Sequence, residues 1–390
     1  FFFQAEDGIR DLVLSRGLGD VYKRQDYDIP MKPYGPTAGR DHLENKPKPK
    51  TKTVDFHIHM RIQEADKLIG DNIPDDSTVQ FRFASKASKE QTLKHHSERM
   101  PFLTDMNYRL PDMEKMQVDI AALSCAPRQF YYSTEPSLGH ESSQAVNDGI
   151  HKAVKENSTT HVGLGTVPLQ DTDLAIKELK RCVNELGFKG LQIGARIKED
   201  EELSAERLYP FWEAVQELNV PMLIHPSSFS SPRLSKYHMM NIIGNPLDTT
   251  VGVHYLIFGG VLEKFPNLKF VLSHGGAFTS HYFARMDHAY GARPDCREDI
   301  HRKPSYYLSK FYFDTLVFSI EQLSYLISNF GADRILLGTD YPFDMAEFNP
   351  VEHVYQVPGL NESDREKICG LNALALMGID EAYFLSLIHI

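Results

Sequence analysis

The 390-residue chain has four cysteines, Cys125, Cys182, Cys296 and Cys369, too widely spaced for a CxxC pair or a disulfide framework. Their apolar or helical contexts fit a reducing cytoplasm, which is the expected location. There is no run of roughly 20 apolar residues and no apolar stretch placed as a signal-peptide core, so neither a membrane span nor a membrane partner is expected. Basic stripes are missing too, and a formal net charge of −11 argues against nucleic acid as a partner. No glycine-rich dinucleotide fingerprint follows the first predicted strand.

What the chain does have is the composition of an ordinary globular protein, 42% hydrophobic and 24% charged, and enough length for a large core. Residues 1–25 resemble translated sequencing-adapter sequence, as do residues 384–390, and both are set aside as non-native. Residues 26–52, with their prolines and a KPKPKTK run, read as a polar arm. A single domain is expected over 53–378, with an irregular insertion or lid at about 61–106.

Apolar runs predict strands at 53–60, 119–125, 161–169, 190–195, 221–225, 269–274, 311–315 and 335–340. Helical patterns lie between them, among them one capped by Asp171 and closed near Gly187. Eight strands alternating with helices predict an α/β fold, a (β/α)8 TIM barrel of the metal-dependent hydrolase type. A doubly wound open sheet is the competitor. It would bind ligand at one switch point, whereas a barrel gathers side chains from many strand ends.

In TVDFHIHM, residues 53–60, strand alternation puts His57 and His59 on one face with Asp55, and Val54, Phe56 and Ile58 on the other. An alternating histidine pair can equally belong to a surface strand. But His225, His274 and Asp340 also end predicted strands, and a barrel mouth is where such residues converge. His57, His59, His225 and Asp340 are therefore the candidate metal ligands, with Asp340 also steering a water. Nitrogen-rich donors favour one Zn2+, with Mn2+ as an alternative. Such a metal lowers the pKa of its water towards about 7. His274 is the candidate general acid/base.

Together DFHIHM, LIHPS, LSHGGAF and GTDYPFD resemble the amidohydrolase-related branch typified by aminocarboxymuconate semialdehyde decarboxylase, over nearly all of residues 54–377. The resemblance implies the same ligands and the same acid/base. It also implies a homodimer in which Arg285, a few residues after HGG, reaches the neighbouring site's substrate carboxylate. Departures fall in the pocket: Ser227 and Ser228 replace the tryptophan and aspartate of HPWD, His238 replaces a tryptophan, and HGGGAF is shortened. Arg99 is the nearest counterpart of the lid arginine, with Arg82 behind it. Arg285, Arg99, His238 and Ser227 are thus the candidate substrate-binding residues.

The expected activity is metal-dependent, non-oxidative decarboxylation of an unsaturated or aromatic carboxylic acid. A lactone or amide hydrolase, or a hydratase, is the alternative, and a non-catalytic metal-binding barrel a third reading. His95, His96, His281 and His288 are expected at solvated or supporting positions. Tyr341 and Phe343 are expected to wall the pocket or pack beneath it.

Overall fold

A computed structural model gives the structure of the chain and describes residues 42–70, 79–227 and 229–380. Ser228, the adapter-like ends and the first part of the arm lie outside the described residues.

Eight parallel strands run in sequence order: β1 (Val54–Met60), β2 (Ile120–Cys125), β3 (His161–Gly165), β4 (Gly190–Gly194), β5 (Pro221–His225), β6 (Lys269–Leu272), β7 (Tyr312–Asp314) and β8 (Ile335–Leu336). The last segment returns to the first. Asp340 N donates to His57 O at 2.8 Å, His59 N to Tyr341 O at 2.9 Å and Phe56 N to Leu337 O at 2.9 Å. A parallel sheet has two buried faces, one inside the barrel and one under helices, so its strands read as near-continuous apolar runs. All seven residues of β1 are buried.

The strands at 269–274 and 335–340 are shorter than their apolar runs suggested. Their last polar residues leave the ladder to point into the mouth. Asp171 caps the helix Thr172–Asn184 by accepting from Leu174 N at 2.9 Å, and Gly187 takes a left-handed φ of +69°, both as expected.

Two expectations need correction. The apolar residues of β1 do not share one face. Val54 and Phe56 pack with Ala122, Leu164, Leu223, Val271 and Leu336, residues contributed by other strands that together fill the barrel interior. Ile58 and Met60 join the other cluster, beneath the helices. The pairing of β1 with β2 shifts register between Asp55 and Ile58, and such a bulge reverses which residues face inward. The irregularity puts Phe56 in the interior just below the two histidines.

The described residues of 61–106 are also not irregular. They form the helices Gln63–Ile69, Val79–Arg82 and Lys86–Thr104, the last burying Arg99 and Leu103. Ser85 N bonds Ser235 O at 2.7 Å, which ties this segment to the loop after β5. Fully buried Arg109, from the helix Met106–Met116, donates to both Phe102 O (2.8 Å) and His59 O (2.7 Å), joining the helix Lys86–Thr104 to the first strand. Below the barrel, the described part of the arm is held by Lys48 on Asp119 at 2.8 Å and by Lys46 on Asn349 at 2.8 Å.

Phe56 is fully buried, so Phe56→Ala is expected to lower stability by about 3–5 kcal/mol. A shifted denaturant midpoint with an unchanged slope checks this.

Candidate metal centre

Five side chains from four strand ends meet at the barrel mouth. His57 and His59 belong to β1, His225 ends β5, His274 follows β6 and Asp340 follows β8. The Asp340 carboxylate lies among the imidazoles. Its Oδ1 is 3.0 Å from His59 Nε2, 3.4 Å from His57 Nε2 and 3.8 Å from His225 Nε2, and its Oδ2 is 3.4 Å from His274 Nε2. His57, His225, His274 and Asp340 can each offer one ligand atom, all within 4.8 Å of one another. His59 Nε2 adjoins the group, 3.2 Å from His57 Nε2. The cluster is a site for a single divalent metal.

The donor chemistry fits a cation. A neutral imidazole is a ligand through the nitrogen that does not carry the proton. Here the Nδ1 atoms have partners of their own: Asp314 Oδ2 for His57 at 2.6 Å, Cys125 O for His59 at 2.9 Å and Pro226 O for His225 at 2.9 Å. Carbonyls only accept, so His59 and His225 carry their protons on Nδ1 and turn bare Nε2 lone pairs inward. His225 Nε2 and Asp340 Oδ1 are buried without a hydrogen-bond partner.

Burial lowers the pKa of His59, and that of His225 to about 3, keeping both neutral. Burial would raise Asp340, but the imidazoles packed around it outweigh that and hold the carboxylate well below its usual range. At His57 burial is overcome by Asp314 and Asp340, which push it up to about 10. Two buried carboxylates thus demand positive charge beside His57.

The supports of the site are built from backbone that few residues adopt. His274 (φ +55°) and Asp340 (φ +58°) are both left-handed, a conformation that costs free energy outside glycine and is found at functional sites. Gly275 and Gly276 follow with φ of +60° and +74°. A Cβ on Gly276 would lie 2.6 Å from the Phe313 ring, so the HGG turn needs glycine for both conformation and space.

Asp314, at the end of β7, holds this turn. Its carboxylate accepts from His274 N (2.9 Å), Gly275 N (2.7 Å) and Leu316 N (3.1 Å) as well as bonding His57 Nδ1. Sequence reasoning passed over it. The available signal was the one used for Asp340, an acidic residue ending an apolar strand. Asp55 accepts from His57 N at 3.1 Å and from Thr339 Oγ1 at 2.5 Å, bracing the β1–β8 seam instead of facing the centre.

A cleft with a cavity of about 190 Å³ opens onto His225 and Asp340. For scale, a cavity of roughly 150 Å³ can take up benzene. Ser227 and His238 line it. His238 has a left-handed φ of +57° and a buried Nε2 without a hydrogen-bond partner. Phe343 also lines it, with its ring 5.3 Å from that of His59, while fully buried Tyr341 packs beneath and hydrogen-bonds Asp112 at 3.0 Å.

Arg99 is not among the lining residues; its guanidinium lies over the rings of Phe102 (5.2 Å) and, after β8, Phe348 (5.8 Å). Arg82 lies against Glu199 at 3.1 Å. The cleft's cations are instead Arg61, Arg128, Arg196 and Lys198, none of which the motifs had singled out. His95 and His96 line it as well and are half-buried, not solvated. Arg285 lies on the helix Thr279–Ala292 and is not among the residues lining the cleft.

Because Asp314 fixes His57 and the HGG turn together, Asp314→Asn is expected to weaken metal affinity about 10–100-fold. Titration with Mn2+ or Zn2+, read by bound metal per chain, measures the loss.

The family model described as Amidohydrolase matches residues 54–379. The 2-amino-3-carboxymuconate-6-semialdehyde decarboxylase of Dictyostelium discoideum is 34% identical over 283 residues, covering 72% of this chain and 79% of that protein. Gamma-resorcylate decarboxylase of Polaromonas sp. is 30% identical over 301 residues, covering 72% and 89%. Among solved structures, 5-carboxyvanillate decarboxylase from Sphingomonas paucimobilis has a TM-score of 0.75 at 24% identity, covering 85% of this chain and 100% of that one. Dihydroxybenzoic acid decarboxylase from Polaromonas sp. JS666, crystallised with bound manganese, has a TM-score of 0.70 at 24% identity, covering 84% and 97%. The chain therefore belongs to the amidohydrolase family, in the branch typified by 2-amino-3-carboxymuconate-6-semialdehyde decarboxylase.

Proposed function

We propose that the chain is a metal-dependent carboxy-lyase that removes carbon dioxide, without oxidation, from an aromatic or conjugated unsaturated carboxylic acid. The observation that carries this is the convergence of four histidines on Asp340 in a cleft sized for a small ring. Relatives sharing 30–34% identity over most of their own length are decarboxylases, which supports the same reaction here and favours it over the hydrolase or hydratase alternative.

His57, His59, His225 and Asp340 are the residues that would hold the metal. A divalent cation supplies Lewis acidity when bound there. The imidazole set supports Zn2+, while the manganese of one structural relative supports Mn2+ as the alternative. The chain's own part is orientation and proton transfer. His274 keeps 17% of its side chain exposed, and its backbone is locked by Asp314. From there its imidazolium delivers a proton to the carbon that carries the carboxylate. As the new C–H bond forms, the C–C bond to the carboxylate breaks, its electron pair stays with the ring or chain carbon, and carbon dioxide leaves. Ser227, His238 and Phe343 shape the wall against which the acid lies.

A homodimer completes this reading. Phe278, Tyr282 and Arg285 recur at helical spacing, and Phe278 (39% exposed) and Tyr282 (66%) leave an apolar face next to the arginine. Burying that face against a second copy would bring Arg285 towards the partner's cleft, where its planar fork suits a carboxylate. The four unpaired thiols support a reducing compartment such as the cytoplasm. Among the described residues, no helix is long and apolar enough to cross a membrane.

Metal-depleted protein reloaded with Zn2+ or Mn2+ is expected to release carbon dioxide from members of a panel of hydroxybenzoic and conjugated unsaturated acids, followed by gas evolution and mass spectrometry. Ester or amide hydrolysis without carbon dioxide from any acid would replace this reading with the hydrolase. His274→Ala is expected to lower kcat about 10²–10⁴-fold with bound metal retained. Sedimentation equilibrium should give twice the chain mass, and Arg285→Gln should raise KM more than it lowers kcat.

A further inference from the structure

Two side chains from the loop after β5 and the helix it leads into bring unpaired polar atoms to the cleft. His238 and Asn245 both line it, and His238 Nε2 and Asn245 Oδ1 are each buried without a hydrogen-bond partner. Leu234, Met239 and Met240, from the same segment, line the cleft with them. A buried polar atom left unpaired costs free energy that a partner recovers. As both residues border the cleft, its occupant is the source of that partner.

The backbone that presents them is costly as well. Tyr237 (φ +58°) and His238 (φ +57°) are consecutive left-handed residues, and neither is glycine. Tyr237 is 81% exposed, so its own packing does not hold the turn, and the residue that the turn serves is His238. Asn241 N and Ile242 N both bond His238 O, at 2.9 and 3.0 Å. A π-helical turn, Met240–Gly244, follows and delivers Asn245 at the head of the helix Asn245–Phe258. Such turns and such backbone gather at functional sites. Phe229 N closes the segment onto Gly244 O at 3.1 Å.

This wall is polar but uncharged. Among the described residues of 227–245 that line the cleft, none is a carboxylate, lysine or arginine. Arg196, from the loop after β4, faces buried Asp248 at 3.2 Å, and Asp248 also takes Ser227 N at 2.8 Å. A carboxylate only accepts hydrogen bonds and would leave Asn245 Oδ1 unsatisfied. A hydroxyl donates to that oxygen, and it meets His238 Nε2 as acceptor or donor, whichever tautomer the ring holds. We propose that His238 and Asn245 form a hydroxyl-binding subsite, so that the preferred acid carries a hydroxyl directed at the loop after β5 while its carboxylate is lost at the metal centre. The subsite deepens the decarboxylase reading and rests on it only for which bond breaks. His238 stands where the family resemblance places a tryptophan, whose ring donates one N–H and offers no acceptor, so this pairing is the present chain's own.

The test is calorimetric titration of the metal-loaded full chain with 3- and 4-hydroxybenzoate, each against the methylbenzoate of the same shape. At one of the two ring positions wild type is expected to bind the hydroxy acid about 10–100-fold more tightly, the range that buried hydrogen bonds support. Asn245→Leu, similar in shape, turns the preference towards the methyl acid, a gain that a misfolded variant does not show. If that variant fails to fold, His238→Phe lowers the ratio on its own. Equal binding of hydroxy and methyl acids at both positions, or a ratio that neither substitution changes, overturns the subsite. Carbon dioxide release, measured separately, distinguishes the two readings. Hydroxyl preference without decarboxylation of any acid leaves the subsite standing and removes the decarboxylase, whereas turnover with no hydroxyl preference does the reverse.

Discussion

One buried carboxylate, that of Asp314, couples the parts of this molecule that must agree for the site to exist. It bonds the Nδ1 of His57 on the first strand and accepts from the backbone of His274 and Gly275 after the sixth. A carboxylate buried this completely is stable only when its oxygens are satisfied, and here the groups that satisfy it are the site's own supports. The left-handed turn at His274 would otherwise relax, since a non-glycine residue holds that conformation only where its surroundings over-determine it. Asp314 therefore settles both the direction of His57 and the height of His274 above the barrel.

Around this point the mouth divides into two kinds of environment. At the centre, His59 and His225, kept neutral by burial, face a carboxylate that the surrounding imidazoles keep ionised, a donor set suited to a cation. Towards the helices of residues 61–106 the cleft is lined by Arg61, Arg128 and the half-buried His95 and His96. The field inside a cleft is set by the few charges that line it, not by the total.

The helices of residues 61–106 create that wall. Their polar sequence lacks the apolar stripe by which a helix is usually recognised, and Lys86–Thr104 is nonetheless ordered over the mouth. It is held by a serine cap, by the contact of Ser85 with Ser235, by the pairing of His95 with Asp344, and through Arg109 to β1. These bonds join residues far apart in the chain, so no local pattern announces them. The same holds for Arg99, whose place in the sequence suggested a substrate contact and whose side chain is spent on the rings of Phe102 and Phe348.

The eight strands and the polar residues at their ends were legible from sequence alone, because a strand buried on both faces must be apolar along its length and a polar residue that ends it stands out. That pattern located His57, His59, His225, His274 and Asp340 at the barrel mouth. Tertiary structure decided what depends on pairing and on the approach of distant segments. The register shift in β1 sends Phe56 inward and Ile58 outward, a choice made by the neighbouring strand and invisible to alternation. The bonds made by Asp314, and the entry of Arg61 and Arg128 into the cleft in place of Arg99, arise only once the barrel has closed and the helices after β1 have packed against it. Hydrophobic periodicity is a local property, whereas the direction of a polar side chain is set by the partner it finds across the fold.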